Sequence, residues 1–145
     1  MTVAPLLTSL MQAHAVSRVL VIGTCDTEAV VAMALRLPEH GRLLALDIDV
    51  ARVASARAAI DVAHVAARAS VMHGDALRFL HKVSGPFDLA VLFASPALRP
   101  SAPDGAASLR ARVRPLVPPP GLVVRVDRLR GCLQPLADDP AGDRP

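Results

Sequence analysis

Apolar residues in this chain gather into short unbroken runs, separated by stretches of helical spacing. Residues 19–22, Val-Leu-Val-Ile, follow Arg18 and stop on Gly23. A branched apolar run of this length predicts a strand buried on both faces, as in a parallel sheet. Residues 43–46, 69–72, 87–93 and 122–126 predict four more strands. Between them the spacing changes. Leu6, Leu7, Leu10 and Met11 lay one stripe on a helix over residues 5–15. A second helix is predicted over 26–37, with Asp26 or Thr27 as its cap, Glu28 in its first turn, and Pro38 and Gly41 closing it. An alanine-rich helix is predicted over 50–67. Val53, Ala56, Ile60 and Ala63 mark its core face, and Arg57, Asp61, His64 and Arg68 its water face.

A brief helix is expected between Gly74-Asp-Ala76 and Lys82, then a turn at Ser84-Gly-Pro86. Residues 94–103 read as a loop. Ser101 with Asp104 marks a helix start, and Leu109, Val113 and Leu116 supply its apolar stripe. Pro118-Pro-Pro-Gly121 stops the chain before the fifth strand. Strands alternating with helices in this way predict an α/β fold: a doubly wound, Rossmann-like, mostly parallel sheet. Residues 1–130 form the expected single domain. The chain turns arginine-rich from Asp127 and then proline- and aspartate-rich, and residues 131–145 are expected to be a flexible tail.

Composition narrows the picture. A domain of 145 residues can bury roughly two-thirds of its unfolded surface, and a hydrophobic fraction of 52% suits a well-filled core. No apolar run approaches the roughly 18 residues of a membrane span, and the N-terminus lacks a signal-peptide pattern, so a cytoplasmic protein away from membranes is expected. Cys25 and Cys132 are too few and too distant for a metal knuckle or a disulfide framework. His64, His73 and His81 read as isolated, and no metal site is expected. The net charge of +3 is carried almost wholly by arginine, read as solvated surface. Without Trp or Tyr, and with Phe79, Phe87 and Phe93 in apolar contexts, the chain lacks a base-stacking platform; nucleic-acid binding is not expected.

The candidate chemistry lies at the strand ends. Arg18-Val-Leu-Val-Ile-Gly23, the helix after it, and Arg42-Leu-Leu-Ala-Leu-Asp47 follow the strand–loop–helix–strand–acid order by which α/β folds hold an adenosine. The turn Gly23-Thr-Cys-Asp-Thr27 carries a single glycine where such loops carry two or three. A nicotinamide-nucleotide enzyme would need a fuller glycine fingerprint, and the tyrosine of short-chain dehydrogenases is absent.

Four landmarks, Val19-Leu-Val-Ile-Gly-Thr24, Ala45-Leu-Asp-Ile-Asp49, His73-Gly-Asp-Ala-Leu77 and Gly85-Pro-Phe-Asp-Leu-Ala-Val91, with Pro120-Gly-Leu-Val-Val124 after them, resemble the core of class I S-adenosylmethionine-dependent methyltransferases. The resemblance is to the small catechol O-methyltransferase-like branch and runs from about Leu6 to Leu129. It implies S-adenosylmethionine as cofactor. Gly23 and Thr24 would lie against its methionine part, and Asp47 would accept from both ribose hydroxyls, with Ile48 beside it. Asp75, next to Ala76, would accept from the adenine amino group; the cap of the following short helix is an equal reading of Asp75.

Departures from the family pattern shape the functional reading. Val21 replaces an acidic residue, and Cys25 and Thr27 replace glycines, adding Cβ atoms near the cofactor. Phe93, Ser95 and Pro96 stand where metal-dependent members place two acids and a lysine. Val126-Asp127 replaces an Asp-Asn pair, leaving Asp127 as a lone oxygen ligand. The family's antiparallel sixth and seventh strands are not legible after Gly131. The resemblance thus implies metal-independent methyl transfer to a small-molecule acceptor. No catalytic base is assigned: His14, His73, His81 and Asp127 are the candidates. The alternative is an inactive methyltransferase fold serving as a binding or scaffold module, as a homodimer or with a protein partner.

Overall fold

The computed structural model describes residues 3–24, 27–93, 111–127 and 132–135. In chain order its elements are α1 (Ala4–Ala13), β1 (Arg18–Ile22), α2 (Thr27–Arg36), β2 (Arg42–Asp47), α3 (Val50–Val62), β3 (Ala69–His73), α4 (Ala76–Phe79), β4 (Leu89–Phe93), β5 (Leu122–Asp127) and β6 (Cys132–Pro135). The strands form one sheet in the order β3-β2-β1-β4-β5-β6. The first five are parallel, as expected from the buried runs. β6 is an addition. It lies antiparallel on β5, with Val126 opposite Leu133, inside the segment read as a tail. Four residues with a terminal proline give too little alternation to announce an edge strand. The rest of 131–145, like the loop and helix start expected over 94–110, lies outside the described residues.

Successive side chains of a strand point to opposite faces, and each face of this sheet is covered. Val19, Val21, Leu43, Ala45 and Val91 point to the side of α1, α2 and α3, where they meet Leu7, Met11, Val30, Met33, Val53, Ala56 and Ile60. Leu20, Ile22, Leu46 and Ala90 point the other way, against Ala76, Leu80, Phe87, Val113 and Val117. Burial of each Val, Leu or Ile in these layers contributes roughly 1.5–3 kcal/mol, which fixes the register of the sheet against a one-residue slip.

The largest difference from the expected helix boundaries is at the end of α3. α3 ends at Val62 rather than at residue 67. His64 turns the backbone left-handed at φ 59°. Its amide donates to the Asp61 carbonyl (3.1 Å) and that of Val65 to the Ile60 carbonyl (3.2 Å). That pair of bonds is a Schellman closure, and buried Val65 and Ile60 supply its apolar contact. A histidine in the glycine position hid the stop from the sequence. The predicted core face of α3 is otherwise met by buried Val53, Ala56 and Ile60.

At the N-terminal edge of the sheet a second carboxylate joins two strands. Asp88 precedes β4, which begins at Leu89 rather than at 87. Its Oδ2 accepts from the Ser17 amide (3.0 Å), the Ser17 hydroxyl (2.9 Å) and the Arg18 amide (3.0 Å). The Asp88 amide returns a bond to the Arg18 carbonyl (2.8 Å). β1 and β4 are thereby clamped at the end opposite Gly23. Between these two strands the chain order reverses, and ligands of open α/β sheets bind beyond the carboxyl ends at such a switch point.

Candidate functional site

The turn after β1 begins on Gly23, at φ 92°, a conformation that L side chains rarely adopt. This explains the one glycine kept in the loop. The Gly23 amide donates to the Leu46 carbonyl at 2.6 Å, which draws the turn over the end of β2. There Asp47 terminates the strand, with its side chain wholly shielded from solvent. Asp47 Oδ2 accepts from the Thr24 amide (2.8 Å), the Thr24 hydroxyl (2.7 Å) and Arg52 Nε (3.0 Å). Oδ1 accepts from the Asp49 amide (2.8 Å) and Arg52 Nη2 (3.2 Å). Burial pushes this carboxyl up, but the hydrogen bonds from Arg52, Asp49 and Thr24 outweigh it and hold Asp47 below the usual aspartate range.

The local sequence dictates this arrangement. Asp49 caps α3, accepting from the Ala51 (2.8 Å) and Arg52 (3.2 Å) amides. That places Arg52 in the first helical turn, where the positive end of the helix dipole disfavours a cation. Two carboxylates compensate: Asp47, and Asp49 at 3.8 Å from Arg52 Nη1. Sequence reasoning missed Arg52. Its signal was a basic residue in a first turn, three residues after an acidic cap. The Thr24 hydroxyl was missed as well, because only its backbone had a reading.

Of the expected site residues, Gly23, Thr24, Asp47 and Ile48 come together at the β1 and β2 ends. Thr24 is buried, while the Ile48 side chain is 47% exposed beside Asp47. The β3 end adjoins them, since the Gly74 amide donates to the Asp47 carbonyl at 2.9 Å. Asp75 and Ala76 follow directly; Asp75 is half-buried and Ala76 buried. The Asp75 carbonyl accepts from the Arg78 and Phe79 amides and so begins α4. A Cβ on Gly74 would stand 2.6 Å from the Phe79 ring, which needs that space. Of the base candidates, His73 lies at this end, with Nε2 3.0 Å from the Ile48 carbonyl oxygen. His14 caps α1 before β1, toward the opposite end of the sheet. His81 sits in the turn after α4. Cys25 and Asp26 lie outside the described residues.

The sequence profile of the O-methyltransferase family matches residues 2–95. The chain belongs to the O-methyltransferase family. No curated protein shows a significant sequence match to it. Among solved structures it is similar to cofactor-bound Rv0187 from MTB, with 26% identity and a TM-score of 0.75 over 88% of this chain and 56% of that one. It is also similar to the O-methyltransferase TomG of Streptomyces achromogenes, involved in tomaymycin synthesis and solved with SAM, with 25% identity and a TM-score of 0.74 over 88% and 56%. The Bacillus cereus O-methyltransferase solved with SAH shares the fold at 22% identity and a TM-score of 0.73, over the same 88% and 56%. The chain thus spans little more than half the length of these relatives.

Membership gives the remaining positions meaning. Phe93, where metal-dependent members were expected to carry an acid, is 1% exposed and packs into the core with Val91 and Val126. Ser95 and Pro96 lie outside the described residues. The Asp127 backbone pairs with Cys132 at the start of β6. Among the described residues, no three His, Cys, Asp or Glu side chains gather as a metal-binding group. Among them too, no helix is long and apolar enough to cross a membrane. The framework fits a nucleoside: a glycine turn, a carboxylate and an exposed apolar side chain share one sheet end. The Asp47 oxygens are fully engaged by internal donors.

Proposed function

We propose that this chain is an S-adenosylmethionine-dependent methyltransferase module that binds its cofactor at the carboxyl ends of β1, β2 and β3. The acceptor is a small molecule, and transfer needs no metal. The observation that carries this reading is the buried Asp47 carboxylate, hydrogen-bonded to the Gly23–Thr24 turn at the end of β2. Cofactor-bound Rv0187 and SAM-bound TomG lend support through shared fold.

In this reading Gly23 lets the backbone approach the methionine part closely. Asp47 accepts from the ribose hydroxyls. The exposed face of Ile48 covers the adenine ring, Asp75 accepts from its amino group, and small Ala76 leaves room for it. When bound, the cofactor supplies a methyl group on a sulfonium, already activated for transfer. The protein then needs mainly to hold that methyl in line with the acceptor nucleophile, a positioning effect that can supply much of the rate enhancement. His73, at the β3 end, is the described base candidate placed nearest this site. The apolar, buried Phe93 supports chemistry without a metal at that position. Association with a second copy or another protein belongs to the same proposal and is read from mass in solution.

Titration calorimetry with S-adenosylhomocysteine tests the reading. Micromolar binding is expected. Asp47→Asn should weaken it by roughly tenfold to a hundredfold, the scale of losing charged hydrogen bonds to the diol. A circular dichroism melt confirms that the variant is folded. Absence of binding at millimolar ligand would overturn the proposal and leave a scaffold module.

A further inference from the structure

Asp47 receives five hydrogen bonds on two oxygens, although a carboxylate offers about four lone-pair sites. A ribose diol would bring two more donors. Two of the present five, from the Thr24 and Asp49 amides, are main chain and cannot leave without unravelling the turn. The Thr24 hydroxyl is buried with its residue. The remaining two come from Arg52, whose side chain is 27% exposed and reaches Asp47 from the rim. Among these donors, Arg52 is the one with an open path away.

It also has somewhere to go. Asp49 Oδ2 stands 3.8 Å from Arg52 Nη1, and the Asp49 side chain is 41% exposed. A guanidinium that releases Asp47 can therefore pivot onto Asp49 without losing a carboxylate partner. The opposing helix dipole at this first turn favours its staying near one of the two acids.

We propose that Arg52 is a latch on the ribose site: its guanidinium occupies the two Asp47 oxygens until a vicinal diol displaces it, and then pivots to Asp49. This rests on the cofactor reading above and adds the residue that tempers affinity for diol ligands there. Arg52 acts as a positioning residue and touches no reacting atom.

The test is calorimetric titration of the full chain and of Arg52→Ala with S-adenosylhomocysteine, adenosine and 2′,3′-dideoxyadenosine. The first two ligands should bind the variant about tenfold more tightly, the scale of one charged hydrogen bond no longer displaced. Dideoxyadenosine, with no hydroxyls for Asp47, should bind both proteins alike. A melt establishes folding. Should Arg52→Ala be unfolded, Arg52→Gln keeps part of the stem without the charge and should gain severalfold. Equal or weaker S-adenosylhomocysteine binding by the variant overturns the latch while the cofactor reading stands. An equal gain for dideoxyadenosine also overturns it, because Arg52 would then only obstruct the pocket. Binding of no ligand to either protein overturns the cofactor reading and the latch together.

Discussion

Ala15 and His64 hold left-handed backbone, at φ 51° and 59°, without being glycine. Each follows the cap of a helix: α1 closes with the Val16 amide on the Met11 carbonyl (3.1 Å), as α3 closes with Val65 on Ile60. An L side chain in this region costs about 1–2 kcal/mol, partly offset because glycine loses more freedom on folding. Ala15→Gly and His64→Gly should therefore each stabilise the fold by about 0.5–1 kcal/mol, and both together nearly additively, as a rise of the thermal midpoint by a few degrees. Unchanged or lower midpoints would contradict the assigned strain. The residue scale also shows what the sequence could not reveal. The place of Asp47 at the end of β2 was legible because it closes the apolar run Leu43–Leu46. The engagement of its oxygens by Thr24 and Arg52 was not, since side-chain hydrogen bonds leave no periodic trace.

Elements here are held at both strand ends by carboxylates with different work to do. Asp88 clamps β1 to β4 at the end far from the candidate site. Burial pushes its carboxyl up, but the Ser17 and Arg18 amides, the Ser17 hydroxyl and the Arg18 charge hold it below the usual range. Asp47 is lowered likewise. A carboxyl depressed in the folded state binds fewer protons there than in the unfolded chain. The stability it contributes is thus complete above the unfolded value and lost as pH falls toward the folded one. Denaturant unfolding should show a plateau at neutral pH and a decline below about pH 5. Asp88→Asn should cost about 1–2 kcal/mol at neutral pH and flatten part of that decline. A variant with the wild-type acid limb would contradict the clamp. At this scale the strands were legible because apolar runs at a double-faced sheet have no polar alternation to confuse them. Helix ends were less so: α3 stops on a histidine, and β6 is four residues long.

For the whole molecule, the alternation of strand and helix identified a doubly wound sheet, and the order β3-β2-β1-β4-β5-β6 bears it out. That order puts a reversal between β1 and β4, and the glycine turn, Asp47 and the β3 end gather beside it. The opposite end carries the Asp88 clamp and His14. The molecule is polarised in this account: binding at one sheet end, mechanical closure at the other. The most direct measurement is a titration of the isotopically labelled chain with S-adenosylhomocysteine, followed through its backbone amide resonances. Binding at the proposed site should shift the Gly23, Thr24, Asp49 and Gly74 amides and leave those of Ser17, Arg18 and Asp88 in place. Shifts confined to the Asp88 end, or none at millimolar ligand, would contradict the assignment of a cofactor site to Asp47.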